Sequence, residues 1–379
     1  MNRPIAYDRR REIARRRLPR ELFDFIDGGS FDEQSLRLNR EAVAEIRLRQ
    51  RVLNDVGSID TATTLFGERL ALPMVLAPIG MGGIVSHRKE FAAARAAIDC
   101  GVPMCLSTMS IASVGDLVAA GTPPDWFQLY MMRDRGFIEA LLAQARAAGV
   151  KVLVLTVDLP VPGIRYKSNL SGQRSLVDRL HLMTDGLSHP RWLFGDYLRG
   201  GPYLFGNLAP AVPEARRLDD FWRWIAASGD PTVNWSDIAW IRQRWPGKLV
   251  LKGVLDVEDA AMAADHGADG LIVSNHGGRQ LDSSPSPIEE LPRIVDAIGG
   301  AMPVLVDGGI RSGIDLLKAL ASGAAACLVG RPWVYALASA RQGAVQQLID
   351  QFQAELKTAM ALTGVTDIQN ITRQLLVPR

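Results

Sequence analysis

Gly270-Leu271-Ile272-Val273-Ser274-Asn275-His276-Gly277-Gly278-Arg279-Gln280-Leu281-Asp282 is an apolar run that ends in a polar, glycine-rich turn. A buried strand ending in such a turn is where parallel α/β proteins collect catalytic groups. His276 offers a proton acceptor and Arg279 a planar fork for a carboxylate, while the two glycines between them let the backbone approach a ligand closely. The combination suggests proton removal from an anchored acid.

Seven further apolar runs, at residues 74–78, 103–107, 126–130, 152–158, 249–252, 303–307 and 326–330, alternate with helix-like stretches. Continuous apolar strands separated by helices imply a parallel sheet buried on both faces, and eight such units imply a (β/α)8 TIM barrel. Polar residues fall at the C-terminal ends of these runs: Ser107, Gln128, Tyr130, Thr156, Asp158, Lys252, Ser274, His276 and Asp307. In a barrel these ends form one rim, so the spacing predicts a shared cavity.

The expected organisation is a single domain of 379 residues. Residues 1–73 form an N-terminal helical lid and barrel base, with one helix over 8–29 running into Asp27-Gly28-Gly29 and short strands in runs such as 44–48. Residues 74–334 form the barrel, and 335–379 supply closing helices. After the fourth strand, residues 170–235 are too long for an ordinary connection. That insertion interleaves Trp192, Phe194, Tyr197, Tyr203, Phe205, Phe221, Trp222 and Trp224 with Arg174, Arg179, Arg191, Arg199, Arg216, Arg217 and Arg223. Its composition suits either an active-site lid or a membrane-touching segment.

A net charge of +2 gives no field to recruit nucleic acid, and 47% hydrophobic residues can fill a large core. Cys100, Cys105 and Cys327 match no metal or redox spacing and read as core thiols of a reducing compartment. No metal site is expected. The arginine-rich start has no apolar region of a secretory signal, and no uninterrupted apolar stretch is long enough to span a bilayer. The expected location is cytoplasmic, with peripheral contact on the inner face of the cell membrane.

Asp307-Gly308-Gly309-Ile310-Arg311 and Gly330-Arg331-Pro332 follow the last two strands. Glycine turns there, each with an arginine, make a phosphate pocket of backbone N–H groups and guanidinium forks. Lys252 reads as a structural cation, as a charge facing a ligand, or as a Schiff-base lysine of an aldolase or isomerase.

The run 274–282, together with Trp126-Phe127-Gln128-Leu129-Tyr130, Ala77-Pro78-Ile79-Gly80, Asp27-Gly28-Gly29 and the two glycine–arginine turns, resembles the FMN-dependent 2-hydroxy-acid oxidases and dehydrogenases. The resemblance runs from about residue 8 to 365 and is to the bacterial quinone-linked L-lactate dehydrogenase branch above all. It implies FMN as cofactor, oxidation of an L-2-hydroxy acid (L-lactate favoured) to the 2-oxo acid, a quinone or other electron acceptor, and a homotetramer. It assigns His276 as base and Asp158 as its partner, with Arg279, Tyr130 and Arg165 contacting substrate. Ala77, Pro78, Ile79, Ser107, Gln128, Thr156, Lys252, Ser274, Asp307, Gly308, Gly309, Arg311, Gly330 and Arg331 would hold FMN. One position departs: Phe25 stands where the family has a tyrosine that donates to the substrate carboxylate. That change opens a second reading, a bulkier mandelate-like acid or modified-peptide intermediate, and reoxidation by O2 is a further alternative.

Overall fold

The computed structural model describes residues 4–168, 184–201, 203–339, 341 and 343–378. Arg174 and Arg179 lie outside the described residues. Eight parallel strands run in chain order: β3 (Met74–Leu76), β4 (Cys105–Ser107), β5 (Trp126–Tyr130), β6 (Val152–Thr156), β7 (Lys248–Val254), β8 (Gly270–Val273), β9 (Val304–Val306) and β10 (Cys327–Val329). Neighbours in sequence pair side by side, β10 returns to β3, and a bridge from Leu76 to Met104 joins β3 to the start of β4. The expected (β/α)8 barrel is present.

Strand side chains alternate between two faces. One set, including Leu76, Leu106, Phe127, Leu153, Leu251, Val273, Val306 and Val329, packs outward in the larger core beneath the helices. The other set forms a separate interior cluster: Val75, Cys105, Trp126, Val154, Val250, Ile272, Leu305 and Leu328, one per strand. The hairpin β1 (Thr63–Leu65) and β2 (Glu68–Leu70) plugs this interior from below, adding Leu65, Leu70 and the Phe66 ring. Phe66 and Gly67 both hold positive φ at the turn, the requirement of a tight two-residue hairpin. Phe66 fits because Gly270 has no side chain; a Cβ there would lie 2.8 Å from its Cζ.

The N-terminal expectations need two corrections. The single helix over 8–29 is two, α1 (Tyr7–Arg17) and α2 (Arg20–Asp27). Leu18 is extended before Pro19, whose ring disfavours helical backbone at the preceding residue. The run 44–48 is not a strand: Ala44 and Glu45 end helix α3 (Gln34–Glu45), and Leu48 makes only an isolated bridge to Leu376. Alternation over so few residues does not separate a helix end from a strand.

Two residues beyond each member of the interior apolar layer lie Ala77, Ser107, Gln128, Thr156, Lys252, Ser274, Asp307 and Gly330. At this level the strands end, and a cavity of about 860 Å³ opens above them.

Candidate active site

The loop after β8 carries His276, Gly277 and Gly278, all with positive φ. Such backbone is costly for histidine and natural for glycine. At Gly278 a Cβ would meet the Leu36 backbone nitrogen at 2.5 Å, and at Gly277 it would lie 3.0 Å from an Arg331 nitrogen. The glycines therefore let α3 and Arg331 close on the loop, which turns the His276 ring towards the cavity it lines.

His276 Nδ1 lies 3.0 and 3.2 Å from the two carboxylate oxygens of Asp158, at the end of β6. Burial pushes the Asp158 carboxyl up, but the charge and hydrogen bond of His276, with Lys252 nearby, outweigh it and hold the group below its ordinary value. Asp158 therefore stays ionised and holds the imidazole through Nδ1.

Arg165, Arg279, Tyr130 and Phe25 line the same cavity. Among the described residues, neither arginine forms an ion pair with a carboxylate. Burial, then repulsion from Arg165 and Arg331, pulls the Arg279 guanidinium well below its ordinary value. Two desolvated cations without a counter-ion make a strong site for a carboxylate. The Phe25 ring packs against both, its centroid 5.4 Å from the Arg165 guanidinium carbon and 5.2 Å from that of Arg279. Burial and the neighbouring Asp158 push the Tyr130 hydroxyl up to about 12, so it remains a donor.

Lys252 is fully buried, yet it is bonded to Ser274 Oγ at 2.8 Å and to Asp307 at 2.9 Å. Burial pulls its pKa down, but Asp307 and Asp158 outweigh this and raise it above the ordinary value. A Schiff-base lysine needs the opposite shift, so the aldolase or isomerase reading is set aside.

Of the residues expected to hold FMN, Ala77, Pro78, Ile79, Gln128, Thr156, Lys252, Asp307, Gly308, Arg311, Gly330 and Arg331 line the cavity. Ser107, Ser274 and Gly309 stand one layer behind. Ser107 donates to Gln128 Oε1 at 2.9 Å and Ser274 receives Lys252, while a Cβ on Gly309 would lie 2.0 Å from the Asn39 carbonyl of α3. Arg331 spends three of its donors on the carbonyls of Ile26, Gly277 and Gly28, clamping the N-terminal lid to the His276 loop. Two of its five N–H groups remain for an anion.

Buried polar atoms without a partner test whether FMN fits. Gln128 Nε2, Thr156 Oγ1, Asp307 Oδ1 and Arg311 Nε are four such atoms, all on cavity-lining side chains. Leaving them unmade is costly. The series supplies polar groups for a ring edge at Gln128 and Thr156, an acceptor for chain hydroxyls at Asp307, and a cation for phosphate at Arg311. The residues fit the group.

The insertion serves the cavity in part. Phe205, Trp222 and Ile225 line it, the last two from the helix Leu218–Ser228. Residues 190–200 form a helical stretch with a π-helical turn at Leu193–Tyr197. Asp196 in this turn is buried, and its carboxylate accepts from Arg17 and from the His87 backbone N–H. Phe194 and Leu198 remain 64% and 62% exposed. No described helix is long and apolar enough to cross a membrane. Sequence reasoning did not single out the cavity role of Ile225 or the packing of Phe25 against two arginines, since neither leaves a local pattern.

The family described as FMN-dependent dehydrogenase matches residues 14–378. A Caulobacter vibrioides protein named L-lactate dehydrogenase is 51% identical over 372 residues, covering 97% of this chain and 96% of the relative. An Allorhizobium ampelinum protein of the same name is 46% identical over 367 residues, covering 97% of each. Among solved structures, the monotopic membrane protein (S)-mandelate dehydrogenase matches with a TM-score of 0.92 at 33% identity over 100% of both chains. A mandelate oxidase with (S)-4-hydroxymandelic acid matches at 0.84 and 38% identity, covering 99% of this chain and 98% of that one.

Proposed function

The chain belongs to the FMN-dependent 2-hydroxy-acid dehydrogenases, and on that premise we propose that it oxidises L-lactate to the 2-oxo acid with His276 as base. One observation carries the assignment: His276, paired with Asp158, shares a cavity with Arg165 and Arg279, which have no carboxylate partner among the described residues. Relatives named L-lactate dehydrogenase support lactate as the acid.

Arg279 and Arg165 bind the substrate carboxylate, and Tyr130 donates to it from the same wall. Anchoring the acid on two forks fixes its carbon beside His276. His276 accepts the proton, and Asp158 stabilises the imidazolium that results. FMN, when bound, would accept the two electrons of the oxidation together with the second hydrogen. Lys252, held charged by Asp307, keeps a fixed positive charge in that wall, and Ser107 and Ser274 hold Gln128 and Lys252 in place.

The proposal extends to a peripheral membrane seat and a quinone acceptor. Exposed Phe194 and Leu198, with Leu187 at 66% exposure, support such a seat. So does the likeness to a monotopic membrane dehydrogenase. A second reading, a bulkier hydroxy acid, draws on the cavity of about 860 Å³ and on Phe25. Steady-state assays of the FMN-loaded protein with an artificial acceptor separate the two. The highest kcat/KM for L-lactate supports the proposal, a preference for L-mandelate transfers the site to the larger acid, and no turnover of either rejects both.

A further inference from the structure

Asp158 and Arg165 sit at opposite ends of a segment that no secondary structure holds. Residues 157–168 contain neither helix nor strand. Pro160 and Pro162 have no N–H, so this stretch cannot form a backbone ladder. Half of its residues are exposed. On the outer side, Phe31 N–H donates to the Ile164 carbonyl at 2.8 Å, and Lys167 pairs with Glu33.

On the inner side, one buried side chain bridges the segment. Gln280 Nε2 donates to the carbonyls of Asp158 at 2.8 Å and Val161 at 3.0 Å, and Gln280 Oε1 accepts from Gly163 N–H at 3.1 Å. The backbones are in close contact there, since a Cβ on Gly163 would lie 2.5 Å from the Arg279 carbonyl. Gln280 follows Arg279 directly and lies four residues beyond His276. Its amide therefore ties the loop bearing the base and one carboxylate fork to the segment bearing the partner of the base and the other fork.

We propose that Gln280 is a positioning residue that sets the separation of Arg165 from Arg279 and the seat of Asp158 against His276. This rests on the reading of those four residues given above. A primary amide is the suitable group, because the bridge needs two donors and one acceptor from a single side chain. Asp158 keeps its own bonds to His276, whereas Arg165 lies beyond the last of the three contacts. Loss of the amide therefore acts more on substrate grip than on the proton step.

The test compares wild-type holoprotein with Gln280→Ala and Gln280→Glu. Four quantities are read: KM and kcat for L-lactate, the Kd of the 2-oxo acid by calorimetry, and Tm. For Gln280→Ala, KM and Kd should rise about tenfold, with kcat falling less and FMN content retained. In Gln280→Glu an ionised carboxylate faces two carbonyls and keeps only the Gly163 contact, while the protonated acid regains one donor. Its kcat/KM relative to wild type should therefore recover as pH falls from 8 towards 5. If Gln280→Ala leaves KM and Kd within twofold of wild type, or the Gln280→Glu ratio is flat with pH, the positioning role is overturned. Absence of flavin reduction by any hydroxy acid in the wild type would instead reject the functional reading beneath it.

Discussion

Two layers of the same barrel, two residues apart on every strand, do opposite work. The lower layer, from Val75 through Trp126 and Val250 to Leu328, is apolar and sealed by the hairpin ring of Phe66. The upper layer, from Ala77 through Gln128 and Lys252 to Gly330, supplies cavity walls or the residues that hold them. Both layers point inward by the same alternation, and only residue type separates them. Stability and chemistry are thus divided by one step of the strand period, as expected of a barrel whose active site occupies one face.

The largest break of this division should come from His276→Ala, which lowers the limiting rate of flavin reduction about 10²–10⁴-fold, the range for a general base. Its FMN content and Tm should stay near wild type, because His276 adds nothing to the lower layer; rapid mixing and thermal melts read both quantities. Next, Arg279→Met should cost about 1.5–3 kcal/mol of substrate binding, a charged hydrogen bond. It should appear as a raised KM, with kcat less affected.

Val250→Ala sharpens the contrast from below. Removing buried methyl groups and leaving a small void should cost about 2 kcal/mol of stability. Tm should fall while the rate per bound FMN holds. The smallest effect is expected from Phe25→Tyr. A restored hydroxyl beside Arg165 and Arg279 should lower the KM for L-lactate by severalfold, corresponding to about 1 kcal/mol for one hydrogen bond. An unchanged KM would show that the two arginines alone saturate the carboxylate.

The layering explains what the sequence could reveal. A switch from apolar to polar residues at the strand ends marked six of the eight upper-layer positions, while Ala77 was reached only through the family resemblance and Gly330 through its glycine–arginine turn. What stayed hidden depends on how loops pack. Ser107 and Gly309 were expected at the cofactor, and nothing in the sequence showed that Ser107 holds Gln128 or that Gly309 lets α3 approach. Arg331 was expected to serve phosphate, yet it also clamps the carbonyls of Ile26 and Gly28, contacts between residues far apart in the chain. Gln280 lay inside the most informative stretch without any local sign of its three partners. The insertion presented lid and membrane segment as alternatives. In the structure Phe205 and Trp222 line the cavity while Phe194 and Leu198 face outward, a separation that composition cannot express.

The most direct measurement is a single anaerobic turnover: FMN-loaded protein mixed with L-lactate, with the visible absorbance of oxidised flavin followed to completion. Fast and complete bleaching, with one 2-oxo acid formed per flavin, is the predicted result. A yellow protein that keeps its absorbance in excess L-lactate would contradict lactate oxidation at the His276–Asp158 pair.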